Sequence, residues 1–173
     1  LATTLAGGPA VLVGLPERNP SDEGRPLFNT AVLLQHGALG QRFRKSLLPT
    51  YDVFDEDRYF EPFRGPEILE ICNLRLGVSI CEDVWNDRDF WERRRYHFDP
   101  IQDLANAGAQ AIVNLSASPF AVGKCRLRDL MLGRPIPDLD FCTSAHPTET
   151  TKLLQGWADR RYLVGVTAAP SSE

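Results

Sequence analysis

No apolar run in this 173-residue chain approaches the ~20 residues that a bilayer-spanning helix needs. The first ten residues, LATTLAGGPA, lack the charged region and apolar stretch of a secretory leader, so a cytosolic location without membrane contact is expected. Basic charge is scarce too. The net charge is −4, the isoelectric point is near 5.4, and the main basic cluster, Arg93 to Arg95, is three residues long. A nucleic-acid partner is therefore not expected, because polyanion binders carry a basic face, and the cluster reads as a solvated helix start. The three histidines, His36, His97 and His146, are scattered. The four cysteines, Cys72, Cys81, Cys125 and Cys142, have neither CxxC spacing nor a nearby histidine pair. That pattern offers no zinc site and no disulfide framework, so reduced thiols are expected. A glycine-rich phosphate loop, an internal repeat and a low-complexity tract are all missing as well.

What is present suits one domain, since 173 residues at 43% hydrophobic content can build a single core but are short for two. After a short helix-like start, the run from Ala10 to Pro16 predicts a central strand ended by proline. A polar, Pro- and Gly-rich loop follows, and Asn29 to Lys45 reads as a hairpin turning at His36 and Gly37. Further strands are predicted at Glu70 to Leu74 with a turn at Asn73, at Leu76 to Ile80, at Ala109 to Val113 and at Tyr162 to Val166. Asp99 to Ala109 predicts a helix, with Asp99 as N-cap, Pro100 in the first position, apolar spacing at Ile101, Leu104 and Ala105, and a stop at Gly108. A second helix is expected from Thr148 to Arg160. Helix followed by buried strand is the unit of a layered α/β domain, and the hairpin adds an antiparallel element.

Chemistry concentrates in GVSICEDVW, Gly77 to Trp85. Val78 to Ile80 read as the end of a buried strand, and the acidic pair Glu82 and Asp83 cannot continue into an apolar core. Cys81 then faces a cleft at the carboxyl end of that strand. An isolated cysteine in such a place also reads as a small buried hydrophobe. Upstream, FRKSLLPTYDVFDEDRYFEP, Phe43 to Pro62, carries a strand-end lysine followed by an aromatic and acidic loop, and downstream lies NLSASPFAVGK, Asn114 to Lys124.

These three segments, in this order, resemble the nitrilase superfamily of carbon-nitrogen hydrolases, and within it the glutaminase domain of glutamine-dependent NAD synthetases. The resemblance runs from Ala10 to about Arg128. It implies an α-β-β-α sandwich over residues 1–128, followed by a divergent tail, 129–173, able to pack on the same domain. By that resemblance Cys81 is the nucleophile, Lys45 stabilises the tetrahedral oxyanion, and the backbone N–H of Glu82 is a second oxyanion donor. A free cysteine thiol ionises near pH ~8.5, so a neighbouring cation or base must assist it. Glu56 matches a supporting glutamate beside the lysine, and reads equally as a surface acid in a charged loop. Lys124 and Ser118 match positions that contact the amino-acid group of the substrate, Tyr51 matches an aromatic wall of the same pocket, and Glu82 an acid near the substrate ammonium. Their bland readings are loop hydroxyls and surface charges. Trp85, Phe90 and Trp91 read as packing residues.

The resemblance further implies glutamine as substrate, a synthetase domain or subunit as recipient of ammonia, and homo-oligomers through the sandwich face. Hydrolysis needs no cofactor; ATP and magnesium belong to the synthetase part, whose signature is missing here. The superfamily's general-base glutamate belongs on a strand earlier than Ala10, and after Arg128 the expected core strand and glycine-rich loop do not follow. Glu17 is a poor substitute for that base and reads as part of a solvated loop. An incomplete or rearranged domain is therefore expected, with turnover slowed roughly 10²–10⁴-fold by the lost proton transfer. Two rivals stay open: a non-catalytic remnant or interaction subunit, and an amidase or carbamoylase acting on another amide. An uncharged substrate would not need Lys124.

Overall fold

The computed structural model describes residues 1–87, 90–116 and 122–131. The helix expected at Thr148 to Arg160, the strand at Tyr162 to Val166 and the whole divergent tail beyond residue 131 lie outside the described residues, as does Ser118.

Two three-stranded sheets carry the fold. The first contains β1 (Val11–Arg18), β2 (Leu27–Gln35) and β3 (Ala38–Arg44) in antiparallel order β1-β2-β3. His36 and Gly37 both take positive φ, 52° and 77°, which is the backbone a two-residue hairpin turn requires. The second sheet has order β4-β5-β6, built from β4 (Ile68–Ile71), β5 (Leu74–Ile80) and β6 (Ala111–Leu115). Another two-residue turn at Cys72 and Asn73, φ 50° and 61°, joins β4 to β5. Strand β6 then pairs parallel to β5, with Ile80 opposite Leu115.

The crossover between β5 and β6 is α1 (Pro100–Asn106). Asp99 caps it as its sequence requires, its Oδ1 accepting from the N–H groups of Ile101 and Gln102 at 3.1 Å each. Gly108, at φ 85°, ends it. Gly77 of β5 gives α1 its close seat: a Cβ there would lie 2.7 Å from Ile112 Cδ1 and 3.1 Å from Leu104.

The core lies between the sheets. Ala31, Leu33 and Phe43 from the first meet Leu69, Val78, Ile80, Val113 and Leu115 from the second. Sheet on sheet, with α1 over the outer face of the second, makes a mixed α/β sandwich of nitrilase type. One expectation fails: β1 is not ended by proline but runs through Pro16 as far as Arg18, and among the described residues it pairs with β2 alone. Proline is tolerated on a strand whose described pairing is one-sided. Glu17 therefore sits on a strand, not in a solvated loop. Its carboxylate takes the Arg44 guanidinium at 3.0 and 3.1 Å, Arg42 at 3.2 Å and the Thr30 hydroxyl at 3.1 Å. The hydrogen-bonded Arg44 holds its pKa below the ordinary value. A second expectation fails at Arg93 to Arg95, which lie in irregular chain rather than at a helix start.

Candidate active site

Strand β5 ends at Ile80, and the chain turns at once into a 3-10 turn, Cys81–Trp85. Cys81 sits at that junction with φ 47°, a left-handed conformation uncommon for a residue with a Cβ. Such backbone is held only where the surroundings over-determine it. Here the holder is Asp83, which is 2% exposed. Its Oδ2 accepts from the Ile80 N–H at 2.9 Å, while Oδ1 accepts from the Ser46 and Leu47 N–H groups at 3.1 and 2.8 Å. One carboxylate thus ties the cysteine turn to the segment that follows β3, where Lys45 lies. Burial pushes the Asp83 pKa up to about 6, against the opposing pull of its three backbone donors and Lys45.

Lys45 is 1% exposed, an unusual position for an ammonium group. Its Nζ lies 2.7 Å from both oxygens of Glu56, and Asn29 Nδ2 donates to Glu56 Oε2 at 3.2 Å. Glu56 is therefore the counter-ion of a buried lysine, and the surface-acid reading falls. Glu56 lies eleven positions after Lys45, and the loop between them folds back to make this pair, helped by the Glu56 N–H donating to the Pro49 carbonyl at 3.1 Å.

A cleft of about 810 Å³ opens beside Cys81, lined among others by Tyr51, Glu82, Trp85, Arg95 and Lys124. Glu82 is 5% exposed yet reaches its wall. The Tyr51 hydroxyl lies 2.8 Å from both Glu82 oxygens, and the Tyr96 hydroxyl donates to Oε1 at 3.2 Å. Burial, followed by the hydrogen bond to Glu82, raises the Tyr51 pKa; burial and the Glu82 charge raise that of Tyr96, so both phenols stay neutral donors. Lys124 opens α2 (Lys124–Met131), its Nζ 5.6 Å from the centre of the Trp85 ring. Arg95 stacks on the other aromatic wall, its guanidinium carbon 3.7 Å from the centre of the Tyr51 ring.

A family model described as carbon-nitrogen hydrolase matches residues 3–131. The chain belongs to the carbon-nitrogen hydrolase family. Among its relatives is the glutamine-dependent NAD(+) synthetase of Synechocystis, 44% identical over 135 residues, which are 76% of this chain and 24% of that protein. The Thermotoga maritima protein of the same name is 39% identical over 122 residues, 70% of this chain and 19% of that one. A solved structure of the glutamine-dependent NAD+ synthetase from Acinetobacter baumannii superimposes with a TM-score of 0.61 at 26% identity, covering 76% of this chain and 23% of that chain. This carbon-nitrogen hydrolase chain thus spans about a quarter or less of the length of these relatives.

Of the residues singled out by sequence, Cys81, Glu82, Tyr51 and Lys124 meet at one cleft, and Lys45 and Glu56 pair without lining it. Trp85 and Trp91 are walls of that cleft as well as packing residues. Sequence reasoning missed Asp83, Tyr96 and Arg95. Asp83 had a signal, being an acid next to a strand end with no reason to face solvent. Tyr96 and Arg95 had only their place in an aromatic and basic stretch after the turn. Among the described residues no group of His, Cys, Asp and Glu could hold a metal ion, and no helix is long and apolar enough to cross a membrane.

Proposed function

We propose that this carbon-nitrogen hydrolase domain cleaves the side-chain amide of glutamine through a thioester on Cys81. The Cys81 sulfur attacks the amide carbon, a C–S bond forms, and the C–N bond breaks as nitrogen leaves with the thiol proton as ammonia. Water then cleaves the thioester to glutamate and restores the thiol. Lys45, with its charge held by Glu56, and the backbone N–H of Glu82 stabilise the tetrahedral oxyanion. Glu82, Tyr51, Ser118 and Lys124 recognise the amino-acid end, since desolvating either charged group unpaired is costly. The step needs no cofactor or metal. The ammonia is used by a synthetase domain or subunit carrying its own ATP and magnesium, in the amidation that makes NAD, and the setting is cytoplasmic.

One observation carries the reading: a cysteine held at positive φ where β5 ends, clipped by a buried carboxylate to the strand end that bears a buried lysine. Similarity to proteins named glutamine-dependent NAD(+) synthetase supports glutamine as the amide. Glutamate release from glutamine, compared between the chain and Cys81→Ser, tests it. Release above the blank that the variant lacks supports the proposal. Equal release by both favours a non-catalytic remnant, and faster cleavage of simple aliphatic amides than of glutamine favours the amidase reading.

A further inference from the structure

Asn29 touches both members of the buried Lys45 and Glu56 pair. Its backbone carbonyl accepts the Lys45 N–H at 2.8 Å, one step past the Thr30 and Arg44 partners of the β2–β3 ladder, and its Nδ2 donates to Glu56 Oε2 at 3.2 Å. Strand alternation puts Asn29 in the row of Ala31 and Leu33, the core-facing row of β2. An amide at the end of an apolar row is costly unless its polar atoms are bonded, and here the bond goes to Glu56. The loop that carries Glu56 returns along the same strand ends. The Glu61 N–H donates to the Leu27 carbonyl at 2.7 Å, and the Phe63 N–H to the Lys45 carbonyl at 3.0 Å. With the backbone on both sides of the pair tied down, the freedom that remains is rotation of the Glu56 carboxylate about its last torsion, which is intrinsically broad. Lys45 Nζ lies 2.7 Å from both oxygens and does not tell them apart, whereas Asn29 donates to one of them and so fixes the carboxylate plane.

We infer that Asn29 is a positioning residue, which acts through Glu56 to fix the direction of the Lys45 ammonium. The inference rests on the glutaminase reading and deepens it, adding a group that touches no substrate atom yet sets the oxyanion contact. An ammonium has three N–H donors. Two of them go to the Glu56 oxygens, so the third is the one left for the oxyanion of the proposed reaction. Its direction is set by the plane of the Glu56 carboxylate. A carboxylate free to turn would carry the ammonium with it, and a donor displaced by about 1 Å loses much of its value in the transition state. Asparagine suits the task because it keeps its N–H₂ at every pH and brings no charge of its own. A lysine or arginine there would compete with Lys45 for Glu56.

The test follows single-turnover acylation of Cys81 over a range of glutamine concentrations for the wild-type chain, Asn29→Leu and Asn29→Asp. Each change is also made in a Lys45→Met background. Alkylation by iodoacetamide, a displacement that forms no oxyanion, is measured beside it. Asn29→Leu is expected to lower the maximal acylation rate about 10-fold or more while half-saturating glutamine stays the same. Asn29→Asp, which sets a second carboxylate against Glu56, falls at least as far. Iodoacetamide labels wild type and both variants alike. In the Lys45→Met background neither change makes a further difference, because no ammonium is left to aim. An unchanged maximal rate in Asn29→Leu overturns the role of Asn29. So does a parallel fall in iodoacetamide labelling, which marks a structural defect, or an equal further loss in the Lys45→Met background. A wild-type chain that glutamine does not acylate overturns the glutaminase reading itself, and this inference with it.

Discussion

Asp83 Oδ1 lies 2.8 Å from the backbone nitrogen of Leu47, and through that bond the two segments of the site are held as one unit. The Cys81 turn follows the end of the second sheet's β5, and the lysine follows the end of the first sheet's β3. Packing between sheets brings them near, but apolar contacts are non-directional and do not fix a strand end to a fraction of an ångström. The buried carboxylate does, because three N–H groups converge on it and each would be left unsatisfied without it.

Replacing Asp83 by alanine is expected to destabilise the fold by at least about 2 kcal/mol, since it orphans three backbone donors at once. Asp83→Asn keeps an oxygen for Ser46 and Leu47 but turns an amide N–H₂ toward Ile80, so it should fold and alkylate slowly at Cys81. Urea unfolding and iodoacetamide kinetics check the pair. Equal stability of wild type and Asp83→Ala would show that the clip is not what holds the two segments.

The pH dependence follows from the same group. Its folded pKa is raised to about 6 from 3.8, so the folded state holds the proton more tightly than the unfolded state does. The sign is therefore that Asp83 favours folding at low pH and loses this contribution as pH rises from about 4 through 6. Wild-type stability relative to Asp83→Asn should fall over that interval, measured by urea midpoints at about pH 4, 5, 6 and 7. A constant difference would contradict it. Protonation also weakens a clip built on a carboxylate, so wild-type Cys81 labelling should drop below about pH 6 with a limb missing in Asp83→Asn.

Lys45 and Glu56 should separate stability from chemistry. Glu56→Gln leaves a buried ammonium without its counter-ion, at a cost of roughly 1.5–3 kcal/mol. Lys45→Met keeps the volume but leaves the Glu56 carboxylate without its cationic partner, so it too should cost stability, less than Glu56→Gln does because Glu56 is partly exposed. The methionine variant should also acylate about 10²–10³-fold more slowly with glutamine, the usual cost of one oxyanion donor. Thermal unfolding and single-turnover acylation read the two effects. Near-normal acylation in Lys45→Met would remove the lysine from the chemistry.

Much of the frame was legible because its signals are local. The hairpin needs positive φ at His36 and Gly37, and α1 is written by Asp99, Pro100 and Gly108, all within one short segment. That β1 runs on through Pro16 to Arg18 was not legible, because a proline closing an apolar run reads as a strand end. The missed parts depend on distant partners. Glu17 needed Arg44, twenty-seven residues on, and Asp83 needed Ser46, thirty-seven residues back. The identity of Glu56 as a counter-ion turned on how a loop folds back, which spacing does not show. The strand-end places of Cys81 and Lys45 were legible through the motifs that surround them, while the contact of Arg95 with the Tyr51 ring shows only in the structure.

The central claim is that the cleft beside Cys81 is a formed glutamine site. Its most direct test is intact-protein mass after incubation with the diazo-ketone glutamine analogue, for the chain and for Cys81→Ala, with and without excess glutamine. The account predicts one adduct per chain, lost in Cys81→Ala and blocked by glutamine. No adduct, or one that glutamine does not block, would contradict it and leave a fold that keeps the family's motifs without its active site.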